Sequence, residues 1–288
     1  MYTFIVNPAA GSGRAQKAIS LIEDEMRKRK LDHQMLITEY PGHATELARQ
    51  TAAEEGCHSV VAVGGDGTAY EVACGLMDSG VPMGIIPVGT GNDLIKTVGI
   101  PGNAMSALDF LLTHPARPVD VGRLNDRLFL NVSGTGFDVQ VLECMEDVKK
   151  VLHGIWPYLI GVVRAIFRYH PVHVAWMVDS VTCEQDVLLC AVANGRYIGG
   201  GIPICPAAEP DDGLLDLIVV ENKPRWKLPF YLPGLLIGKV LGFPFTTHQR
   251  CEAVTMRSPG MHLNVDGEVQ VVDEVSFSVM PGRLMLHW

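Results

Sequence analysis

Apolar and polar positions along the first 115 residues alternate between two periods. Short runs rich in β-branched or aliphatic residues at 2–6, 34–38, 60–63 and 83–87 read as strands. Apolar positions three and four apart predict helices over 14–30, 44–55, 68–78 and 104–112. Strand and helix exchanged at this spacing make right-handed βαβ units, and therefore a parallel sheet covered on both faces. After Pro118 the texture changes. Strand-like pieces follow at 118–123, 128–133, 172–177, 187–194, 215–220, 251–256, 261–265 and 275–279, joined by polar or Gly-rich turns. Two helical patterns, 139–168 and 226–241, interrupt them. The expected architecture is an α/β domain over residues 1–118 and a β-rich, sandwich-like domain over 119–288, with the last strand returning to the first domain. No internal repeat and no low-complexity tract is visible.

Composition narrows the class. The 288 residues suffice for two domains at about 150 residues each, and 48% hydrophobic against 19% charged residues excludes a disordered chain. A formal net charge of -9 has the wrong sign for a protein that coats nucleic acid, so no nucleic-acid partner is expected. The seven cysteines are scattered, odd in number and never in a CxxC pair, which predicts reduced thiols and a cytoplasmic location rather than disulfides or zinc. Residues 1–10 lack the basic and apolar regions of a signal peptide. The apolar stretches 156–163 and 228–237 are too short to span a bilayer. His153, His170, His173 and His248 show no metal-ligand spacing.

The strongest local signal is VVAVGGDGT, residues 60–68, where a buried strand runs into Gly64, Gly65, Asp66 and Gly67 before a helix opens at Thr68. Glycines let the backbone approach phosphate oxygens, and free N–H groups at a helix start attract an anion. Plain βα geometry with Asp66 as an N-cap is the other reading. One βα unit later IIPVGTGND, residues 85–93, repeats the arrangement with Thr90 and Asp93. The first loop, NPAAGSG at 7–13, has the same character but lacks the Gly-Lys-Ser/Thr of a Walker A loop. In an open parallel sheet such loops face one ligand outside the carboxyl ends of the strands. Arg14 is the basic residue placed to meet a phosphate there, or an exposed first-turn arginine. The RKRK run at 27–30 suits the negative end of a helix.

Further motifs follow: TEYPGHATELA at 38–48, VDVG at 119–122, NVSGTGFD at 131–138, PDDGLLDL at 210–217 and NVDGE at 264–268. In this order and spacing the set resembles the diacylglycerol kinase catalytic-domain family, in particular its soluble bacterial lipid kinases. That resemblance implies an ATP- and Mg²⁺-dependent kinase of a lipid hydroxyl, with a nucleotide domain akin to those of NAD kinases and phosphofructokinases and the active site in the cleft between domains. It implies nucleotide contacts at Asn7, Thr38, Gly64, Gly65, Asp66, Gly67, Thr68, Glu71 and Thr90, with Asp66 near the phosphates and their magnesium. Asp266 becomes the proton acceptor. A structural Mg²⁺ is implied at Asp212 with the backbone carbonyls of Glu209 and Leu214, linked through water to Asp93 and Asp120. Hard oxygen ligands suit that ion, and separated acids in one cleft call for a cation. Taken alone, DGE reads as a hairpin turn and DDG as an exposed turn. The family carries Asn after GGDGT-x, where this chain has Tyr70.

A lipid acceptor requires apolar surface. The segments 153–167 and 225–245 are rich in aromatic and aliphatic residues with a few basic ones, which suits transient peripheral contact with a membrane's inner face or packing on the second domain's sheet. The net charge disfavours strong adsorption to anionic lipid. Diacylglycerol or a related lipid is the expected acceptor. An NAD kinase-like or other small-molecule kinase and a catalytically inactive nucleotide-binding regulatory protein stay open as alternatives, as does a homodimer.

Overall fold

The computed structural model describes residues 1–149 and 156–288, so His153 and the start of the 153–167 segment lie outside the described residues. The chain forms two compact units. The first comprises 1–121, 210–213 and 280–288, and the second 122–209 and 214–279. The expected single division at 118/119 therefore lacks one feature: residues 210–213, which carry DDG, belong to the first unit although the residues on either side of them belong to the second.

In the first unit, β1 (Tyr2–Val6), β2 (His33–Ile37), β3 (Ser59–Gly64) and β4 (Met83–Pro87) pair in parallel in the order β2-β1-β3-β4. Every residue of β3 and β4 is buried, the pattern of strands covered on both faces. Helices α1 (Arg14–Lys28), α2 (His43–Ala52) and α3 (Asp66–Leu76) connect them, and α4 (Asp93–Val98) and α5 (Ala104–Thr113) follow β4. Helix α1 buries Ala15, Ala18, Ile22 and Met26, a stripe at spacings of three and four. Gly75 lets α2 and α3 touch, since a Cβ there would stand 2.6 Å from both the Ala48 Cβ and the Thr45 carbonyl oxygen. Asn103 caps α5 by accepting from the N–H groups of Met105 and Ser106.

Strand β5 (Ala116–Leu124) leads into the second unit, which holds β6 (Arg127–Phe129), β7 (Val132–Gly136), β8 (Val172–Val178), β9 (Val181–Ala193), β10 (Tyr197–Ile198), β11 (Ile202–Pro203), β12 (Leu215–Glu221), β13 (Thr246–Cys251) and β14 (Ala253–Val265). The final strand β15 (Glu268–His287) contributes 268–279 here and its last residues to the first unit, where Leu286 pairs with Met83. Pairing within the second unit is antiparallel. The long strands β9 and β14 divide their lengths between β7 and β8. Alternation along β9 and β12 sends Cys190, Val192, Leu215, Leu217 and Val219 into one core, and Leu189, Ala191, Ala193, Ile218 and Val220 into another. Burial on both faces explains why these strands read as unbroken apolar runs. The second core lies under α6 (Phe137–Lys149), α7 (Trp156–Arg168) and α8 (Leu228–Leu236).

Two helical expectations change. The 139–168 pattern is two helices among the described residues, and the 226–241 pattern is a short turn, α8, and another turn. Gly238, at φ +77°, stops α8 in the left-handed conformation that favours glycine. The seven cysteines are all free. Cys190 is buried, and its thiol is pushed up to about 12 by burial. Asp216, almost fully buried, is met by His248 Nε2 at 2.5 Å and Arg250 Nε at 3.7 Å, a pairing that sequence spacing did not disclose. No helix among the described residues is long and apolar enough to cross a membrane.

Candidate active site

Three Gly-rich loops leave the carboxyl ends of β1, β3 and β4 and are held against one another by close backbone approach. A Cβ on Gly11 would fall 1.9 Å from the Val88 carbonyl oxygen, and one on Gly89 would fall 2.5 Å from the Gly65 Cα. A Cβ on Gly64 would overlap the Thr68 side chain at 2.3 Å. These glycines are required by packing within the protein. Gly13 and Gly67 are different: nothing lies within 4 Å of a Cβ placed there, so their open faces are where a phosphate can approach.

Side chains complete the lacing. The Asp66 carboxylate accepts from Asn92 N–H at 2.5 Å and Asp93 N–H at 2.6 Å, so it anchors the third loop at the start of α4. Asn7 Nδ2 donates to Thr68 Oγ1 at 3.2 Å, and Asn7 Oδ1 accepts from Ala9 N–H. Arg14 donates to the carbonyl oxygens of Gly11 and Gly89, both at 3.1 Å, and so bridges the first and third loops. Its guanidinium is committed to loop carbonyls in this arrangement.

Beside the loops lies a cleft of ≈ 230 Å³, open to solvent, lined by Asn7, Pro8, Thr38, Glu39, Tyr40, Pro41, Ala44, Thr68 and Glu71. Four of the expected nucleotide contacts, Asn7, Thr38, Thr68 and Glu71, thus meet in one place. Glu71 also accepts from Ala44 N–H at 3.1 Å at the start of α2. Thr90 is exposed on the third loop and does not line this cleft. Tyr70 stands half-buried on α3. Tyr40 stacks on His43 with ring centroids 4.5 Å apart, and half of its surface is exposed. Sequence reading missed Tyr40 and Pro41 as cleft residues, although an aromatic at the start of TEYPGHA is a signal that could have found them.

Asp93 and Asp120 are both buried. The Asp120 carboxylate accepts from Gly213 N–H at 2.7 Å and Gly282 N–H at 2.8 Å, and its own N–H donates to the Pro210 carbonyl at 2.7 Å. Burial pushes its carboxyl above the ordinary range, the Gly282 and Gly213 N–H groups oppose this, and Asp212 and Asp211 push it further up.

In the second unit Asp266 and Gly267 form the two-residue turn between β14 and β15, with φ of +47° and +96°. The DGE triplet is therefore a hairpin, and the hairpin presents a carboxylate. Asp266 Oδ2 accepts from Leu130 N–H at 2.7 Å, and Oδ1 accepts from the N–H groups of Asn131 and Val132 at 2.9 and 3.2 Å. Asn264 supports the turn from below by accepting Gly267 N–H at 2.9 Å. Glu268 pairs with Arg127.

This geometry agrees with what sequence comparison finds. The profile of the diacylglycerol kinase catalytic domain matches residues 1–124, and that of the YegS C-terminal NAD kinase beta sandwich-like domain matches 131–287. The chain belongs to the diacylglycerol kinase catalytic-domain family. It is, by that membership, an enzyme of the lipid-kinase class. A diacylglycerol kinase of Mycobacterium tuberculosis is 29% identical over 99% of this chain and 94% of its own. A probable lipid kinase, YegS-like, of Pseudomonas aeruginosa is 34% identical over 87% of this chain and 83% of its own. A solved Bacillus anthracis protein assigned as a diacylglycerol kinase superposes with a TM-score of 0.81 at 27% identity, covering 100% of this chain and 96% of that one.

The ion expected in this lipid kinase at Glu209–Leu214 fits the residues present. Asp212 offers a carboxylate and the chain offers carbonyls, an all-oxygen set suited to Mg²⁺. Asp120, Asp211 and Asp212 crowd negative charge that a cation would relieve. Mg²⁺ is accordingly expected to raise the Tm of the wild type and to have no such effect on Asp212→Ala, read by thermal denaturation in the absence of nucleotide.

Proposed function

We propose that this lipid kinase transfers the γ-phosphoryl group of ATP, with Mg²⁺, to a hydroxyl of diacylglycerol or a related lipid alcohol. The observation that carries the reading is the convergence of three Gly-rich loops beside one cleft lined by Asn7, Thr38, Thr68 and Glu71. The nucleotide occupies this cleft, with its phosphates toward the open faces of Gly13 and Gly67 and the start of α3, whose N–H groups carry the positive end of the helix dipole. Phosphoryl transfer needs positioning and charge stabilisation more than covalent help. Asp66 supplies positioning by holding the third loop. Asp266, with both carboxylate oxygens fixed by backbone amides, accepts the hydroxyl proton as the acceptor oxygen bonds to the γ-phosphorus and the bond to ADP breaks. Mg²⁺, when bound, offsets the phosphate charge.

The acceptor is taken from a membrane surface by the second unit. Phe167, Trp226, Phe230 and Ile237 are 72%, 69%, 75% and 64% exposed, far beyond what isolated surface apolar residues require. Arg225 donates to the Phe167 carbonyl oxygen at 2.9 Å and brings the end of α7 beside this aromatic stretch. Lys227 lies over the Trp226 ring. Aromatic and basic residues side by side suit the headgroup region.

Acceptor-stimulated ADP release tests the reading. Mixed micelles of diacylglycerol are expected to raise ADP release well above the no-acceptor rate, whereas NAD and fructose 6-phosphate leave it unchanged. Stimulation by either soluble acceptor and not by lipid would move the enzyme to another class of kinase.

A further inference from the structure

Cys205, Asp216 and His248 are scattered along the sequence, and the antiparallel register of β12 and β13 gathers them on one face of the sheet. Asp216 lies opposite Arg250 and Ile218 opposite His248, so His248, two residues from Arg250, points to the same side as Asp216. The turn that follows β11 brings Cys205 to that side, where Arg250 Nη2 meets the Ala207 carbonyl oxygen at 3.4 Å. One donor atom from each of Cys205, Asp216 and His248 lies within 4.8 Å of the other two. Cys205 and Asp216 are buried, whereas the His248 side chain is 27% exposed and β13 ends the strand order, so a solute reaches the cluster past the imidazole.

An ion pair accounts for part of this arrangement. Asp216 Oδ1 is met by His248 Nε2 at 2.5 Å and by Arg250 Nε at 3.7 Å. The thiol is left out of that account. Its Sγ accepts from the backbone N–H groups of Ala207 and Ala208, donors that favour a thiolate, yet it stands beside a carboxylate that disfavours one. Burial pushes the thiol up to about 12, Asp216 pushes it further, and the two amides and Arg250 oppose this. The free protein therefore keeps the proton on sulfur, and a metal ion would displace it.

We propose that Cys205 Sγ, a carboxylate oxygen of Asp216 and His248 Nε2 bind one Zn²⁺, with water in the fourth position. Sulfur, nitrogen and oxygen together suit Zn²⁺ and not Mg²⁺, which takes oxygen ligands. Thiolate and carboxylate neutralise the two charges of the ion, so Arg250 keeps its place beside Asp216. Ligands of a tetrahedral Zn²⁺ stand about 3.3 Å apart, so the imidazole and carboxylate have to separate slightly from their present contact. The ion ties the 205–208 turn to β12 and β13. Its site goes beyond the kinase reading and does not depend on it.

The full chain, stripped with a chelator and returned to buffer with excess Mg²⁺ and a reductant, tests this by titration with Zn²⁺ against a chromophoric competitor. One Zn²⁺ per chain is expected to bind despite the Mg²⁺. Co²⁺ in its place should show the near-ultraviolet charge-transfer absorption of a thiolate ligand. Cys205→Ser should abolish that absorption, and both Cys205→Ser and His248→Gln should weaken Zn²⁺ binding by about 100-fold or more. Cys183→Ser, which removes an exposed thiol, should change neither readout. Asp212→Ala should also keep the Zn²⁺ site, which separates it from the ion expected at 209–214. A wild type that takes up no Zn²⁺, or a Co²⁺ absorption that survives Cys205→Ser, overturns the proposal. Equal losses in Cys183→Ser and Cys205→Ser would reveal adventitious binding to scattered thiols only and overturn it as well. Thermal denaturation shows whether Cys205→Ser folds, and His248→Gln, at a partly exposed position, keeps the test decisive if it does not. None of these readouts involves turnover, so they stand whatever the acceptor of the kinase proves to be.

Discussion

Asp266→Asn is expected to lower kcat by about 10²- to 10⁴-fold, the usual contribution of a general base, while leaving ATP affinity nearly unchanged. The site geometry adds a second effect. Three backbone N–H groups, from Leu130, Asn131 and Val132, converge on the two oxygens of this carboxylate. Asparagine supplies one oxygen and one NH₂ group, so at least one amide then faces a donor rather than an acceptor. That mismatch is expected to cost about 1–3 kcal/mol of stability, and a Tm lowered by several degrees. Turnover must therefore be measured below the onset of unfolding, with denaturation and ATP titration run on the same preparation. A variant that folds, binds ATP and turns over at the wild-type rate would remove Asp266 from the chemistry and leave it as a turn residue.

The second large effect is expected at Asp66. Truncation to Ala removes the acceptor for Asn92 N–H and Asp93 N–H together, two orphan amides at the start of a helix. A loss of about 2–4 kcal/mol is expected in the absence of any nucleotide. With the third loop released, ATP affinity should fall by about tenfold or more. Thermal denaturation of the apo protein separates this account from a purely ligand-directed one. If Asp66 acted on bound phosphate alone, apo stability would stay at the wild-type value and only ATP binding would weaken.

The first half of the chain was legible because its information is local. Strand runs at 2–6 and 83–87 and the helix beginning at Arg14 follow from periodicity, and the three loops follow from Gly next to buried strand ends. The division of labour among those glycines was not legible. Gly11 and Gly89 are fixed by neighbours distant in sequence and Gly64 by the Thr68 side chain, whereas nothing lies within 4 Å of a Cβ placed at Gly13 or Gly67. For the same reason Asp66 looked like a phosphate-side carboxylate, since the amides it holds belong to another loop. Helix α4 escaped because its start is Asn92 at φ +54°, inside a stretch that reads as loop. Strand β15 was expected only over 275–279, because Pro281 and Gly282 read as a stop, yet the strand runs on to His287. The DDG segment could not be placed by pattern at all: Asp120 draws it in through Gly213 N–H.

The most direct measurement is transfer of label from γ-labelled ATP into lipid extracted from diacylglycerol micelles, with wild type and Asp266→Asn compared at equal folded fractions. The account predicts labelled phosphatidate for the wild type and about 10²-fold less, or lower, for the variant. Label released as inorganic phosphate, or carried by a water-soluble product with none in the lipid, would contradict it.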